Sequence, residues 1–207
     1  MERIKVGKVG HCSKEQVIAL SGLEESKNIL FEISVSDAEK KLLEDPYIKE
    51  AEIRRKLPDT LKISVRERTE YAAVPYGTEY VLIDCEGIVL SKTDTPPELP
   101  LIDGIEIKKI EPGKLLETEK DDLLADTLAL LSSMEKSDLY FKKIEISDVL
   151  VKAYIYDFLL CEGTPDNIRA GMDNLKQVLY EMNERGIERG VIRVNNSNQW
   201  AWSPLIE

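Results

Sequence analysis

Histidine and cysteine, the residues most often used as catalytic base and nucleophile near neutral pH, are scarce in this sequence. His11 is the single histidine, and it stands beside Cys12, which would be the nucleophile of a cysteine–histidine pair. Neighbouring residues of a strand point to opposite faces, so the hydrogen bond that activates a thiol could not form between them. We therefore interpret His11 as a surface or turn residue at the end of a first strand.

The remaining candidates do not assemble a site either. Cys12, Cys85 and Cys161 are widely spaced and follow neither a CxxC pattern nor a disulfide framework. We interpret all three cysteines as free thiols, and the alternative is one disulfide with one free thiol. A zinc site needs about four ligands, and Asp84 fits a turn better than a general base. We predict no catalytic, metal-binding or cofactor-binding residue, which favours a binding protein.

Composition narrows the class of partner. The net charge of −11 argues against nucleic acid or an anionic lipid surface as a partner, because phosphates would be repelled. Aromatic residues make up 6% of the chain, which gives no platform for stacked bases. No apolar run approaches the roughly 18 residues of a membrane span, and no signal peptide opens the chain. Composition alone would indicate a cytoplasmic protein.

The first third of the chain carries signals for a strand followed by two helices. In chain order they are apolar Ile4, Val6 and Val9 for the strand, capping boxes at residues 13–16 and 36–39, Gly22 as a helix end, and an apolar link at residues 28–33. These signals predict the element order strand, helix, helix.

Residues 45–68 predict a helix end and then a two-stranded hairpin. Pro46 cannot continue a helix. Apolar residues then alternate with charged ones up to Leu57, and Pro58-Asp59 supplies a turn. After the turn, Leu61, Ile63 and Val65 again alternate with polar residues. This period of two is typical of half-buried strands.

This order, and the wording IKEAEIRRKLPDTLKISVRER at residues 48–68, resembles a POTRA domain, a small interaction module of envelope proteins. The wording is most similar to the POTRA domain of the FtsQ/DivIB family of bacterial cell division proteins. We predict a POTRA domain at residues 1–69, with β-α-α-β-β order, and a family-type β domain at residues 70–207.

The second half is consistent with that family. Residues 80–90 predict a hairpin, residues 117–136 a helix, and Thr164-Pro165 the start of a second long helix. The segment 199–205 resembles the W-x-P-L close of the family's β domain. The expected fold class is α+β, a POTRA domain followed by a mixed α/β domain with a largely antiparallel sheet and two helices. Arg193-Val194-Asn195 departs from the Asp-Leu-Arg pattern of many relatives.

The resemblance also implies a function. Family members are non-enzymatic scaffolds that bind the coiled-coil partners FtsB/DivIC and FtsL at the β domain and other division proteins through the POTRA domain. Carried over, residues 191–196 would be an edge strand that accepts a partner strand. The residues expected at this partner-binding edge are Ile192, Val194, Asn196, Trp200 and Trp202. The alternative for the two tryptophans is packing on the last helix.

Relatives also carry a cytoplasmic tail and one transmembrane helix ahead of the POTRA domain. We therefore expect residues 1–207 to be the extracytoplasmic region of a single-pass protein of the division septum, with Met1 an added start residue. The competing interpretation is a POTRA module of an outer-membrane assembly or secretion protein that guides substrate polypeptides. The hairpin at residues 80–104 and the WSPL close favour the division family.

Overall fold

The computed structural model describes residues 3–23, 34–137, 139–148, 150–194 and 200–204. The chain separates into two compact units. The first unit comprises residues 1–69 with 112–114, and the second comprises residues 70–111 with 115–207. No helix among the described residues is long and apolar enough to cross a membrane. The apolar link predicted at residues 28–33 lies outside the described residues.

The first unit has the predicted order strand, helix, helix, strand, strand. Its elements are β1 (Arg3–Val6), α1 (Lys14–Ser21), α2 (Val35–Leu42), β2 (Ile48–Lys56) and β3 (Thr60–Glu67). The sheet order is β1-β3-β2, with β1 parallel and β2 antiparallel to β3. One face of this sheet packs Ile4, Ile53, Leu61 and Ile63 into a core with Val17 and Leu42 of the helices.

Local signals placed the first helix correctly. The Ser13 hydroxyl accepts the Gln16 N–H, and the Gln16 side chain accepts the Ser13 N–H, so the predicted capping box is confirmed. Gly22 ends the helix with φ 68°, a left-handed conformation that favours glycine. The opening strand ends at Val6 rather than extending to Val9.

The second predicted capping box is wrong. Ser34, not Ser36, caps α2, because its hydroxyl accepts the Asp37 N–H. Glu39, which the box would have folded back onto the helix start, instead accepts the Ile53 N–H of β2 at 2.8 Å. A contact with a distant strand decides the role of this carboxylate.

A carboxylate held by backbone donors fixes the loop after β1. Glu67, at the end of β3, accepts N–H groups from Gly10 (2.5 Å), His11 (3.0 Å) and Cys12 (2.9 Å). Burial raises the pKa of Glu67, but the three backbone donors outweigh it and hold the pKa below its ordinary value. The loop 7–12 is therefore tied to the sheet by a charge-assisted contact.

Replacing Glu67 by Gln should lower the free energy of unfolding by about 1–3 kcal/mol at neutral pH, because three backbone donors lose a charged acceptor. Because the pKa of Glu67 is lower in the folded state than in the unfolded state, its carboxylate stabilises the fold at pH values above the unfolded-state pKa. This stabilisation is lost as the pH falls through the folded-state pKa. The difference in the free energy of unfolding between wild type and Glu67→Gln should thus become smaller below about pH 4. Denaturant titrations at several pH values measure it. Exposed Glu44→Gln is the control, and an equal loss there would contradict the assignment.

The second unit is a single large sheet with three helices. Its strands are β4 (Ala72–Tyr76), β5 (Glu79–Ile83), β6 (Val89–Thr93), β7 (Leu101–Asp103), β10 (Lys143–Ile146), β11 (Val151–Tyr156), β12 (Leu159–Gly163), β13 (Gly190–Val194) and β14 (Trp200–Ser203), beside a two-stranded ribbon of β8 (Ile107–Lys109) and β9 (Glu117–Thr118). Its helices are α3 (Asp121–Ser137), α4 (Pro165–Ala170) and α5 (Met172–Glu184).

The nine strands lie in the order β14-β13-β12-β11-β10-β7-β4-β5-β6. Five of the eight pairings are antiparallel, and three are parallel. One sheet face and the three helices share a core that includes Ile144, Ala153, Cys161, Ile168 and Leu175. The predicted α+β fold class is confirmed.

Two helix details differ from expectation. The helix predicted at 117–136 begins at Asp121, because residues 117–118 pair as β9 and the Asp121 carboxylate accepts the Thr118 N–H at 2.6 Å. The long helix predicted from Pro165 starts at that residue under a Thr164 cap, but it is interrupted at Gly171 into α4 and α5. The second unit therefore has three helices among its described residues rather than two.

We predict that residues 1–69 fold without the rest of the chain, because their core and all three strands are contributed by that segment. Expressed alone, they should give a dispersed NMR amide spectrum and a cooperative melt. Collapse of the amide signals into the random-coil range would show that the domain boundary is misplaced.

Candidate partner-binding edge

The last described strand, β14, forms one edge of the nine-stranded sheet. It pairs antiparallel with β13 on one side and has no neighbour on the other among the described residues. β13 pairs with β12 as well as with β14. The prediction that residues 191–196 are the edge strand is therefore wrong for the described residues 191–194, because the tryptophan segment folds back and takes the edge.

The predicted side chains divide into two groups. Ile192 and Val194 are buried in the core, so they support the edge and are closed to a partner. Asn196 lies outside the described residues. Trp200 and Trp202 lie on β14 itself, opposite Val194 and Ile192 respectively, and share the face that carries the helices.

Trp200 anchors the edge strand to the helices. Its indole packs on the core, and a Cβ at Gly171 would lie 2.5 Å from the indole Cζ2. Gly171 has φ −98°, which any residue can adopt, so the glycine is required by this close approach rather than by its backbone. The indole Nε1 is buried and has no hydrogen-bond partner among the described residues.

Trp202 is less enclosed. It is 43% exposed, and its indole lies over Gly190, where a Cβ would overlap the ring. Gly190 also has φ 149°, inside the range that favours glycine. The register agrees with the expectation that both tryptophans share a face. The packing of Trp200 against Gly171, at the start of the last helix, agrees with the alternative that the tryptophans pack on that helix.

Arg193 braces the opposite face of this edge. Its Nε lies 2.6 Å from Glu162 Oε2 on β12, and its Nη1 donates to Ser203 Oγ on β14 at 2.9 Å. One side chain therefore connects three consecutive strands. Arg193 thus links the edge strand to both β13 and β12.

The outer side of β14 offers backbone groups. Alternate N–H and C=O groups of an edge strand point away from its neighbour and can pair with an added strand. Ala201 is exposed, and Pro204 ends the strand. The edge is therefore short, with a length of four residues.

The histidine and the buried cysteines considered as catalytic candidates do not form a reactive site. The exposed His11 ring stacks on Tyr47, with centroids 3.7 Å apart and planes 4° from parallel. Burial, then Asp45 and Glu67, raises the pKa of the Cys12 thiol, and burial raises the pKa of Cys161. Both thiols are kept protonated, which is the unreactive form. The described residues contain no cluster that could hold a metal ion.

An open cavity of about 560 Å³ lies where the β11–β12 turn meets the segment between α5 and β13. Arg189 lies over the Phe158 ring, 4.3 Å from its centroid. The lining is Tyr156, Asp157, Phe158, Leu159, Leu179, Asn183, Ile187, Glu188 and Arg189. This set contains neither a thiol nor a histidine, so it gives no nucleophile–base pair.

Replacing Gly171 by Ala should displace the Trp200 indole and destabilise the domain by about 1–3 kcal/mol, as overpacking does. Tryptophan fluorescence and thermal melting measure both effects. Gly7→Ala is the matched control, because a Cβ there meets only ordinary van der Waals contact with Ile63 O, at 3.7 Å. Unchanged fluorescence and stability in Gly171→Ala would contradict the anchoring role of Trp200.

Comparison with known proteins shows what the first unit and the longer chain are similar to. A family model described as "POTRA domain, FtsQ-type" matches residues 1–68. The chain is 29% identical over 157 residues to cell division protein DivIB of Clostridium acetobutylicum, covering 74% of this chain and 63% of that protein. It thus spans less than two thirds of that relative.

Other relatives carry either of two names. Cell division protein FtsQ of Geotalea daltonii is 26% identical over 191 residues, covering 88% of this chain and 67% of the relative. A solved structure of the major extracytoplasmic domain of DivIB from Geobacillus stearothermophilus aligns with 57% of this chain and 97% of its own, at 14% identity and a TM-score of 0.38. Residues 1–68 are a POTRA domain of the FtsQ type, and the chain is a homologue of the FtsQ and DivIB cell division proteins.

Proposed function

We propose that this chain is the extracytoplasmic region of a non-enzymatic cell division scaffold that binds partner proteins at the β14 edge. Its partners at that edge are small coiled-coil division proteins like FtsB/DivIC and FtsL, and other components of the division complex bind through the POTRA domain. A single transmembrane helix ahead of residue 1 would hold it at the septum, where it coordinates cell-wall synthesis.

The observation that carries this proposal is the outer side of β14, which pairs with no other strand in the part of the chain that the structure describes. A partner segment in extended conformation can continue the sheet there through backbone hydrogen bonds, a recognised mode of peptide binding. The edge is firm enough to serve as a template, because Trp200 fixes it to the core and Arg193 ties it to two further strands.

The long edge of the POTRA sheet is a weaker candidate for strand addition. β2 has nine residues and a free side, but Glu39 already accepts the Ile53 N–H. A partner strand would have to displace that carboxylate. Charged residues on an edge strand also discourage pairing with another strand, and exposed Glu52 and Arg54 lie on β2.

Relatives and motifs favour division over secretion. The relatives described above are named as cell division proteins, and their similarity extends through most of the second unit. A module that guides polypeptides at the outer membrane would share only the POTRA part. The W-x-P-L close, of which Trp202 and Ser203 lie on β14, belongs to the part that such a module lacks.

Replacing Ala201 by Pro should weaken binding of a DivIC- or FtsB-like partner at least about tenfold. The Gly190 N–H donates to the Phe158 carbonyl beside β12. Alternation along β13 therefore turns Arg193 toward its partner Ala201 on β14. Proline at Ala201 removes a donor of this ladder, and its ring distorts the strand that a partner would join. Ala201→Thr is the matched control: it adds side-chain bulk on the same exposed position but keeps the donor and favours a strand. Co-purification and titration of purified partner with the whole chain measure both variants.

Folding and binding must be separated in this experiment. Thermal melting checks that Ala201→Pro remains folded, and amide hydrogen exchange of the wild type with partner should show new protection in residues 200–203. Protection that appears in β2 instead would move the site to the POTRA edge. A folded Ala201→Pro variant that binds as well as Ala201→Thr would overturn the β14 assignment.

A further inference from the structure

Basic side chains are concentrated on the uncovered face of the POTRA sheet. The register places Lys5 of β1, Lys62 of β3 and Arg54 of β2 in one row across the three strands. The next row toward the hairpin tip holds Arg3, Thr60 and Lys56. Residues paired across strands share a face, so five cations lie on two adjacent rows, opposite the face that carries the helices.

These cations are poorly compensated. Arg54 pairs with Glu52 at 2.6 Å. The side chains of Lys5, Lys56 and Lys62 have no hydrogen bond or ion pair within the described part of the chain. Lys5 and Lys62 stand directly opposite each other, and like charges so placed destabilise a sheet. An external anion would relieve that repulsion.

An exposed apolar residue lies beside the cluster. Leu57, at the tip of the β2–β3 hairpin, is 76% exposed and directly follows Lys56. The chain enters the domain at the same tip, because the Arg3 N–H donates to the Asp59 carbonyl at 2.8 Å. Cations next to a protruding apolar side chain are the combination that attaches a protein to a lipid surface.

Charge is divided unevenly along the chain. Residues 1–69 contain 14 Lys and Arg against 13 Asp and Glu, a net charge of +1, although the whole chain carries −11. The acidic excess, which argued against an anionic surface as a partner, therefore lies entirely in residues 70–207. Local charge near the surface sets electrostatic attraction, since screening limits its reach to about 10 Å.

We propose that this face, formed by Arg3, Lys5, Arg54, Lys56 and Lys62 with Leu57 at its tip, binds the surface of an anionic lipid bilayer. The cations would contact lipid phosphates while Leu57 enters the headgroup region. The choice of lipid over an acidic protein rests in part on the proposed function, because an anchor ahead of residue 1 would emerge next to this tip.

The test is co-sedimentation of the whole chain with phosphatidylcholine vesicles with and without phosphatidylglycerol. Binding should require phosphatidylglycerol and should disappear in about 1 M salt, where screening is nearly complete. Replacing Lys5, Lys56 and Lys62 together by Gln should lower the partition coefficient about tenfold or more, since each cation near a charged surface adds to attraction.

Two controls separate the patch from overall charge. The triple variant Lys14→Gln, Lys108→Gln, Lys136→Gln changes net charge equally at exposed positions elsewhere and should bind like wild type. Leu57→Ser should weaken binding, and Leu43→Ser, at another exposed leucine, should not. The patch variant should also melt at or above the wild-type temperature, because the Lys5–Lys62 repulsion is removed.

Several results would overturn the inference: no binding to anionic vesicles, equal binding to neutral ones, or equal loss in both triple variants. Binding of the patch to soluble polyglutamate without binding to vesicles would also overturn it and would identify an acidic protein segment as the partner. None of these outcomes bears on β14, because the vesicle assay contains no partner strand and leaves Ala201 unchanged.

Discussion

Backbone hydrogen bonding is the constraint on which the second unit depends. A buried strand must pair its N–H and C=O groups on both sides. The seven inner strands of the sheet, which run in space from β13 to β5, each have two neighbouring strands. Among the described residues the requirement is not met at the outer sides of β14 and β6, the two edges of the sheet, where water or another chain must supply the partners. The candidate binding edge is one of the two places where pairing stops. The side chains around β14 serve mainly to fix its position in the sheet.

Short-range signals were sufficient wherever a residue and its partner are close in sequence. The Ser13 capping box, the Thr164 cap before Pro165 and the alternating hairpin of β2 and β3 all follow from residues a few positions apart. Resemblance to a family supplied the division into a POTRA domain and a mixed α/β domain. These sources together predicted the fold class and the presence of an edge near the tryptophans.

Long-range contacts account for the errors. Glu39 has the spacing of a capping residue, but its carboxylate is used by a strand fourteen residues away. Residues 191–194 have the alternation of an edge strand, yet nothing in that alternation reveals that Trp200–Ser203 returns to pair with them. Gly171 interrupts the helix predicted from Pro165, and the Trp200 indole of a distant strand occupies the space that a side chain at Gly171 would need. The net charge of −11 is a sum over all 207 residues and does not reveal the basic face of the POTRA sheet.

The antiparallel ladder between β13 and β14 has a mechanical consequence. Its hydrogen bonds run perpendicular to the strands, so a pull along β14 loads all of them together, whereas a pull away from the sheet would break them one after another. A partner strand added at this edge would lie along the same axis. Tension carried between such a partner and the rest of the chain would therefore be resisted in shear, the stronger direction, and the Arg193 bridge from β12 to β14 would share that load.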